Sequence, residues 1–138
     1  MPGEVILIIE DDVHIGGLVA QVLREAGYRP ALERDVRAAR AWGAGGNSPA
    51  AVLSDLMVLG SPGPDRLAAE LSEIFPGAPV TLMTGVPRNR RAALGVTHDR
   101  IIEKPFELET LLDAVSGMLA AGAPGQPTSG EPTSGEPT

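Results

Sequence analysis

Four short aliphatic runs punctuate the chain, at Val5–Ile9 and at residues 51–53, 80–83 and 101–102, and none of them alternates with polar residues. A strand wetted on one face alternates. Unbroken apolar runs this short belong to strands covered on both faces, as in a parallel sheet between two layers of helices. A weaker strand is predicted at Arg29–Glu33, second in chain order. Helical periodicity fills the gaps: Leu18, Val19, Val22, Leu23 and Ala26, then Leu67, Leu71 and Ile74, then Leu108, Leu111, Leu112, Val115 and Leu119. Residues 35–45, rich in Ala and Arg, are helical by propensity, and 88–94 form a short helix. Gly27, Gly45 and Gly77 fall where helices should end. Strand and helix alternate throughout, which specifies a three-layer, doubly wound α/β domain on a five-stranded parallel sheet with right-handed crossovers.

The 138 residues leave room for one such domain. There is no cysteine, which excludes disulfides, a thiol nucleophile and thiolate metal sites. His14 and His98 are too far apart to suggest a metal-ligand pair. A formal charge of -7 argues against nucleic acid as a partner, because phosphate binding needs concentrated Lys and Arg. The apolar run Val5–Ile9 is too short for a secretion signal or a membrane span, so the expectation is a cytoplasmic protein with no membrane partner. The composition breaks near Gly122: residues 122–138 hold no large apolar side chain and repeat Pro-Thr-Ser-Gly-Glu in tandem. The division expected is a folded domain over 1–121 and a disordered Pro/Gly/Ser/Thr-rich tail over 122–138.

The clue to function is positional. Glu10 and Asp11, with Asp12, follow the first apolar run; Asp55 follows the third strand, Thr84 the fourth and Lys104 the fifth. Ligands of open parallel sheets bind in the crevice at the carboxyl ends of the strands. Singly, each residue has an ordinary explanation. Asp11 or Asp12 can cap a helix, Asp55 and Thr84 can close turns, and Lys104 can be a solvated surface charge. Together they are harder to dismiss, because Lys104 is the sole lysine beside ten arginines, so surface charge is supplied by another residue type.

Two unit charges about 4 Å apart repel by roughly 4 kcal/mol at an effective dielectric near 20. Glu10, Asp11 and Asp55 therefore either share a proton or are joined by a cation. An all-oxygen cluster favours Mg²⁺ or a similar hard ion, which commonly serves phosphate chemistry. Beside such an ion a carboxylate can attack a phosphoryl group, with a lysine neutralising charge and Thr84 donating a hydrogen bond.

Residues 4–121 resemble the receiver domain of two-component response regulators, carried by VILIIEDD, LSDLM, LMTG and EKPF in that order. The resemblance implies a flavodoxin-like fold and a phosphoprotein that takes a phosphoryl group from a histidine kinase or histidine phosphotransfer protein. It matches Glu10 and Asp11 to the acidic pair, Asp55 to the phosphoacceptor, Thr84 to the switch hydroxyl and Lys104 to the active-site lysine, followed by a cis-prone Lys104–Pro105 bond. It assigns a further Mg²⁺ contact to the carbonyl of Met57, and Gly63 fits the family's loop spacing. Three positions depart from the family pattern: Leu59 and Pro62 replace the loop's usual proline and acid, the stretch from Thr84 to Lys104 is short, and Ile101 stands where an aromatic is usual.

The reading that follows is a receiver acting by contact with a downstream protein, with no turnover of a separate substrate. A receiver-shaped module with lost or weakened phospho-switching is the alternative, motivated by Ile101 and the unusual loop at Leu59 and Pro62. A phosphatase of the haloacid-dehalogenase type is a poor fit, since Met57 stands where its second Asp belongs. Because Ile101 is stiff and has no ring to trade between core and solvent, output is expected to rest on the Thr84-to-Arg91 loop. The basic knot Arg88, Arg90 and Arg91 and residue His14 are expected on solvated helix faces, and Trp42 over the end of the second helix.

Overall fold

Ile6, Leu7, Ile8 and Ile9 have no exposed surface, so the first strand must lie at the centre of the protein. In the computed structural model, which describes residues 3–122, it does. Most of the expected tail lies outside the described residues. The elements follow in chain order: β1 (Val5–Ile9), α1 (Val13–Glu25), β2 (Arg29–Glu33), α2 (Val36–Ala44), β3 (Ala51–Asp55), α3 (Leu67–Ile74), β4 (Val80–Thr84), α4 (Arg88–Arg91) with a 3₁₀ turn at Ala92–Leu94, β5 (Ile101–Glu103) and α5 (Leu108–Gly122). The last helix therefore runs one residue past the expected boundary. All strands pair in parallel in the order β2-β1-β3-β4-β5.

Side chains of successive strand residues point to opposite faces, and the sheet builds two cores from that alternation. On one face Leu7, Ile9, Val52, Val80 and Leu82 pack with Val36, Ala39, Leu67 and Leu71 of α2 and α3. On the other, Ile6, Ile8, Leu53, Met83 and Ile102 pack with Val19 and Leu23 of α1 and with Leu111, Val115 and Met118 of α5. The α1 stripe is narrower than its sequence suggests: Leu18 is 61% exposed, and Gly16, Val19, Ala20 and Leu23 are the residues buried. Trp42 does not merely cover its own helix end. Its ring meets Phe75, just beyond α3, with centroids 6.0 Å apart and a tilt of 60°.

Two aspartates start helices. Asp12 Oδ1 accepts from His14 N (2.9 Å) and Ile15 N (3.1 Å), and Asp35 Oδ1 accepts from Ala38 N (2.7 Å). Each satisfies amides that the first helical turn leaves unpaired. Beyond α2 the left-handed residue is Gly46 (φ +96°), while Gly45 keeps a negative φ. Helix α4 is a single turn with no buried residue. Among the described residues no helix is long and apolar enough to cross a membrane.

Candidate functional site

The strand order reverses at β1, since β2 lies to one side and β3 to the other. That switch point opens a crevice at the carboxyl edge. Glu10 follows β1 directly, with its amide donating to Glu33 O at 3.0 Å. Asp55 and Thr84 are the terminal residues of β3 and β4, two residues and one residue past the apolar runs. The next amides extend the sheet. Leu56 N donates to Met83 O (2.8 Å), and Lys104 N donates to Thr84 O (2.7 Å). The Lys104–Pro105 bond is cis.

These elements bring Glu10, Asp11, Asp55 and Lys104 to one place. One carboxylate oxygen from each of the three acids lies within 4.8 Å of the others. Lys104 Nζ donates to Glu10 Oε1 at 2.9 Å and to Asp55 Oδ1 at 3.2 Å. The second Glu10 oxygen accepts from Asp12 N at 3.2 Å. Burial grades across the cluster: the Glu10 side chain is 1% exposed, Asp55 is half-buried and Asp11 faces solvent.

Electrostatics follow from that gradient. Desolvation pushes the Glu10 carboxyl above its ordinary value, against the hydrogen bonds from Lys104 and Asp12, and the Asp55 charge adds to the rise. Burial alone would lower Lys104, but the Glu10 hydrogen bond and the charges of Asp55 and Glu10 outweigh it and raise the ammonium. Lys104 is thus held charged. One ammonium facing three carboxylates leaves a surplus of negative charge. The donors are all oxygen and one of them is open to solvent, so the set suits a hard cation such as Mg²⁺.

Thr84 is 1% exposed, and its Oγ1 accepts from Val86 N at 2.9 Å. Met57, two residues beyond Asp55, has an exposed side chain, as has Leu59, whose carbonyl accepts from Val36 N at 3.1 Å. Gly63 has a φ of +132°, which explains a glycine at that point of the loop. Ile101 is half-buried against the α3 face of the core. His14 is exposed, as are Arg88 and Arg90.

Arg91 is not solvated like its neighbours. Its Nη1 donates to Val86 O (3.1 Å) and Glu103 Oε2 (2.8 Å). His98, which the sequence marks only as a poor metal ligand, has its Nε2 2.6 Å from Val80 O. No spacing marks either residue, because each meets its partners across a loop rather than along a helix.

A flavodoxin-like sheet with an acidic pocket and one lysine at its switch point defines the class. The family model of the response regulator receiver domain matches residues 6–116, and the chain belongs to that family. The C4-dicarboxylate transport transcriptional regulatory protein DctD of Pseudomonas aeruginosa is 34% identical over 118 residues, which cover 80% of this chain. The chain spans only 24% of that relative's length. A response regulator receiver protein from Sinorhizobium medicae WSM419 superposes with a TM-score of 0.73 at 26% identity, covering 87% of this chain and 97% of that one. NtrX from Brucella abortus superposes with a TM-score of 0.71, also at 26% identity, over 87% of this chain and 28% of that one.

Proposed function

We propose that the chain is a phospho-accepting receiver of a two-component phosphorelay, phosphorylated on Asp55 and signalling by protein contact. The observation that carries this reading is the Lys104 ammonium set between Glu10 and Asp55 at the edge of a three-carboxylate cluster. Glu10, Asp11, Asp55 and the Met57 carbonyl would hold Mg²⁺. When bound, that ion supplies the positive charge a phosphoryl group needs beside carboxylates.

The chain's own residues divide the remaining work. An Asp55 carboxylate oxygen attacks phosphorus as the phosphorus–nitrogen bond of a donor phosphohistidine breaks, and the departing imidazole keeps the electron pair and takes a proton from water. Lys104 stays protonated throughout and faces the transferred group. Buried Glu10 holds that ammonium in place. Thr84 can donate its hydroxyl proton to a phosphoryl oxygen. In this reading the protein promotes its own phosphorylation and dephosphorylation and turns over no separate substrate.

The donor is a histidine kinase or a histidine phosphotransfer protein, and the receiver acts on a downstream protein from the cytoplasm. Nucleic acid is not a direct partner of so acidic a domain. A constitutive binding module without phospho-switching draws its support from Ile101 and the altered loop at Leu59 and Pro62, whereas the full acidic set and its lysine support phosphorylation. Incubation with acetyl phosphate, with Mg²⁺ or with chelator, tests the proposal. Intact mass should gain one phosphoryl group only with Mg²⁺, and no gain in either condition would refute it.

A further inference from the structure

The loop leaving β4 is held on both sides of one residue. Val86 donates its amide to Thr84 Oγ1 at 2.9 Å, and its carbonyl accepts from Arg91 Nη1 at 3.1 Å. The same nitrogen donates to Glu103 Oε2 at 2.8 Å. Glu103 lies opposite Thr84 in the β4–β5 register and directly precedes Lys104. A closed ring of contacts therefore runs from Thr84 through Val86, Arg91 and Glu103 back to Thr84 across the sheet.

The setting makes Arg91 more than a surface charge. Helix α4 has one turn and no apolar residue, so apolar packing does little to fix it. Arg88 and Arg90 are exposed, yet the Arg91 side chain keeps only 12% of its surface. The guanidinium presents several donors in a rigid plane, which suits bridging a carbonyl and a carboxylate at once.

We infer that Arg91 is a positioning residue for Thr84. By pinning Val86 against Glu103 it keeps the Thr84 hydroxyl in its resting orientation and opposes the loop movement that accompanies phosphorylation. This rests on Asp55 being the phosphoacceptor. In this inference the Thr84 oxygen turns toward a phosphoryl group on Asp55, and because threonine moves between discrete rotamers about its first side-chain torsion, that turn gives up the Val86 amide. That turn breaks one hydrogen bond while Arg91 still holds the other end of the residue. A ligand shifts such an equilibrium only by its differential affinity, and any bond peculiar to the resting state subtracts from it.

Beryllofluoride, a stable mimic of the phosphoryl group, tests the inference in the full chain at saturating Mg²⁺, read from the Thr84 methyl and Val86 amide resonances. Arg91→Ala should bind it about three- to tenfold more tightly than wild type, the size of one net hydrogen bond. Glu103→Gln should move affinity in the same direction by less, and the double variant should bind no more tightly than Arg91→Ala alone. In free Arg91→Ala, the Val86 amide should shift toward its position in the wild-type complex, a signature that a general loosening of the fold does not give. Should Arg91→Ala not fold, Glu103→Gln carries the test. Affinity unchanged or weakened in both variants overturns the inference and leaves the phosphoacceptor reading standing. Failure of wild type itself to bind beryllofluoride defeats that reading, and the inference with it.

Discussion

The Lys104 ammonium lies 2.9 Å from Glu10 Oε1, joining residues 94 positions apart in the chain. Glu10 is the most deeply buried acid of the site, and without this partner its charge is uncompensated. Lys104→Met should therefore destabilise the metal-free protein by about 3 kcal/mol, the low end for breaking a buried pair. Added Mg²⁺ should recover part of the loss by supplying the missing positive charge. Denaturant midpoints with and without Mg²⁺ would check this, and an equal loss in both would contradict it.

The same pair marks how far the sequence could be read. Strand order of the reactive residues was legible because parallel strands bury both faces and so leave unmistakable apolar runs. The convergence of Glu10, Asp11, Asp55 and Lys104 followed from the rule that ligands sit at the carboxyl edge, where Thr84 also ends its strand. What periodicity could not give was depth within a face. Leu18 fits the α1 stripe yet is largely exposed, because the helix meets the sheet over a narrower arc than its apolar residues span. Arg91 looked like one of three equivalent arginines. Its distinction comes from Val86 and Glu103, which only the folded loop brings within its reach.

Core depth gives a paired prediction. Leu71 is wholly buried on the α3 face, so Leu71→Ala should cost roughly 3 kcal/mol through lost burial and the cavity left behind. Leu18→Ala should stay within about 0.5 kcal/mol, as exposed substitutions do. Comparable losses at both sites in equilibrium unfolding would show the α1 face to be wrongly placed.

The turn after α4 sets a second limit. Gly95 adopts φ +77°, and a Cβ added there would lie 3.1 Å from Asp65 Cβ, in the loop that follows Asp55. Gly95→Ala should therefore destabilise by about 1–2 kcal/mol through left-handed strain alone, with crowding in addition. Gly85, with open space around it and no positive φ, is the control, and Gly85→Ala should change the thermal midpoint little.

Helix capping offers a change remote from the chemistry. Asp35 Oδ1 accepts from Ala38 N at 2.7 Å at the start of α2. Asp35→Ala should cost about 1 kcal/mol and Asp35→Asn much less, since asparagine also caps. Urea unfolding distinguishes them, and equal losses would show that charge rather than the capping bond matters there.

The proposed function turns on which side chain carries the phosphoryl group. Borohydride reduction after treatment with acetyl phosphate and Mg²⁺ converts an aspartyl phosphate to homoserine, and peptide mass mapping then locates it. The result expected is homoserine at position 55 in the wild-type chain and at no position in Asp55→Asn. Homoserine at position 11 or 12 instead, or equal labelling of the Asp55→Asn variant, would contradict the account.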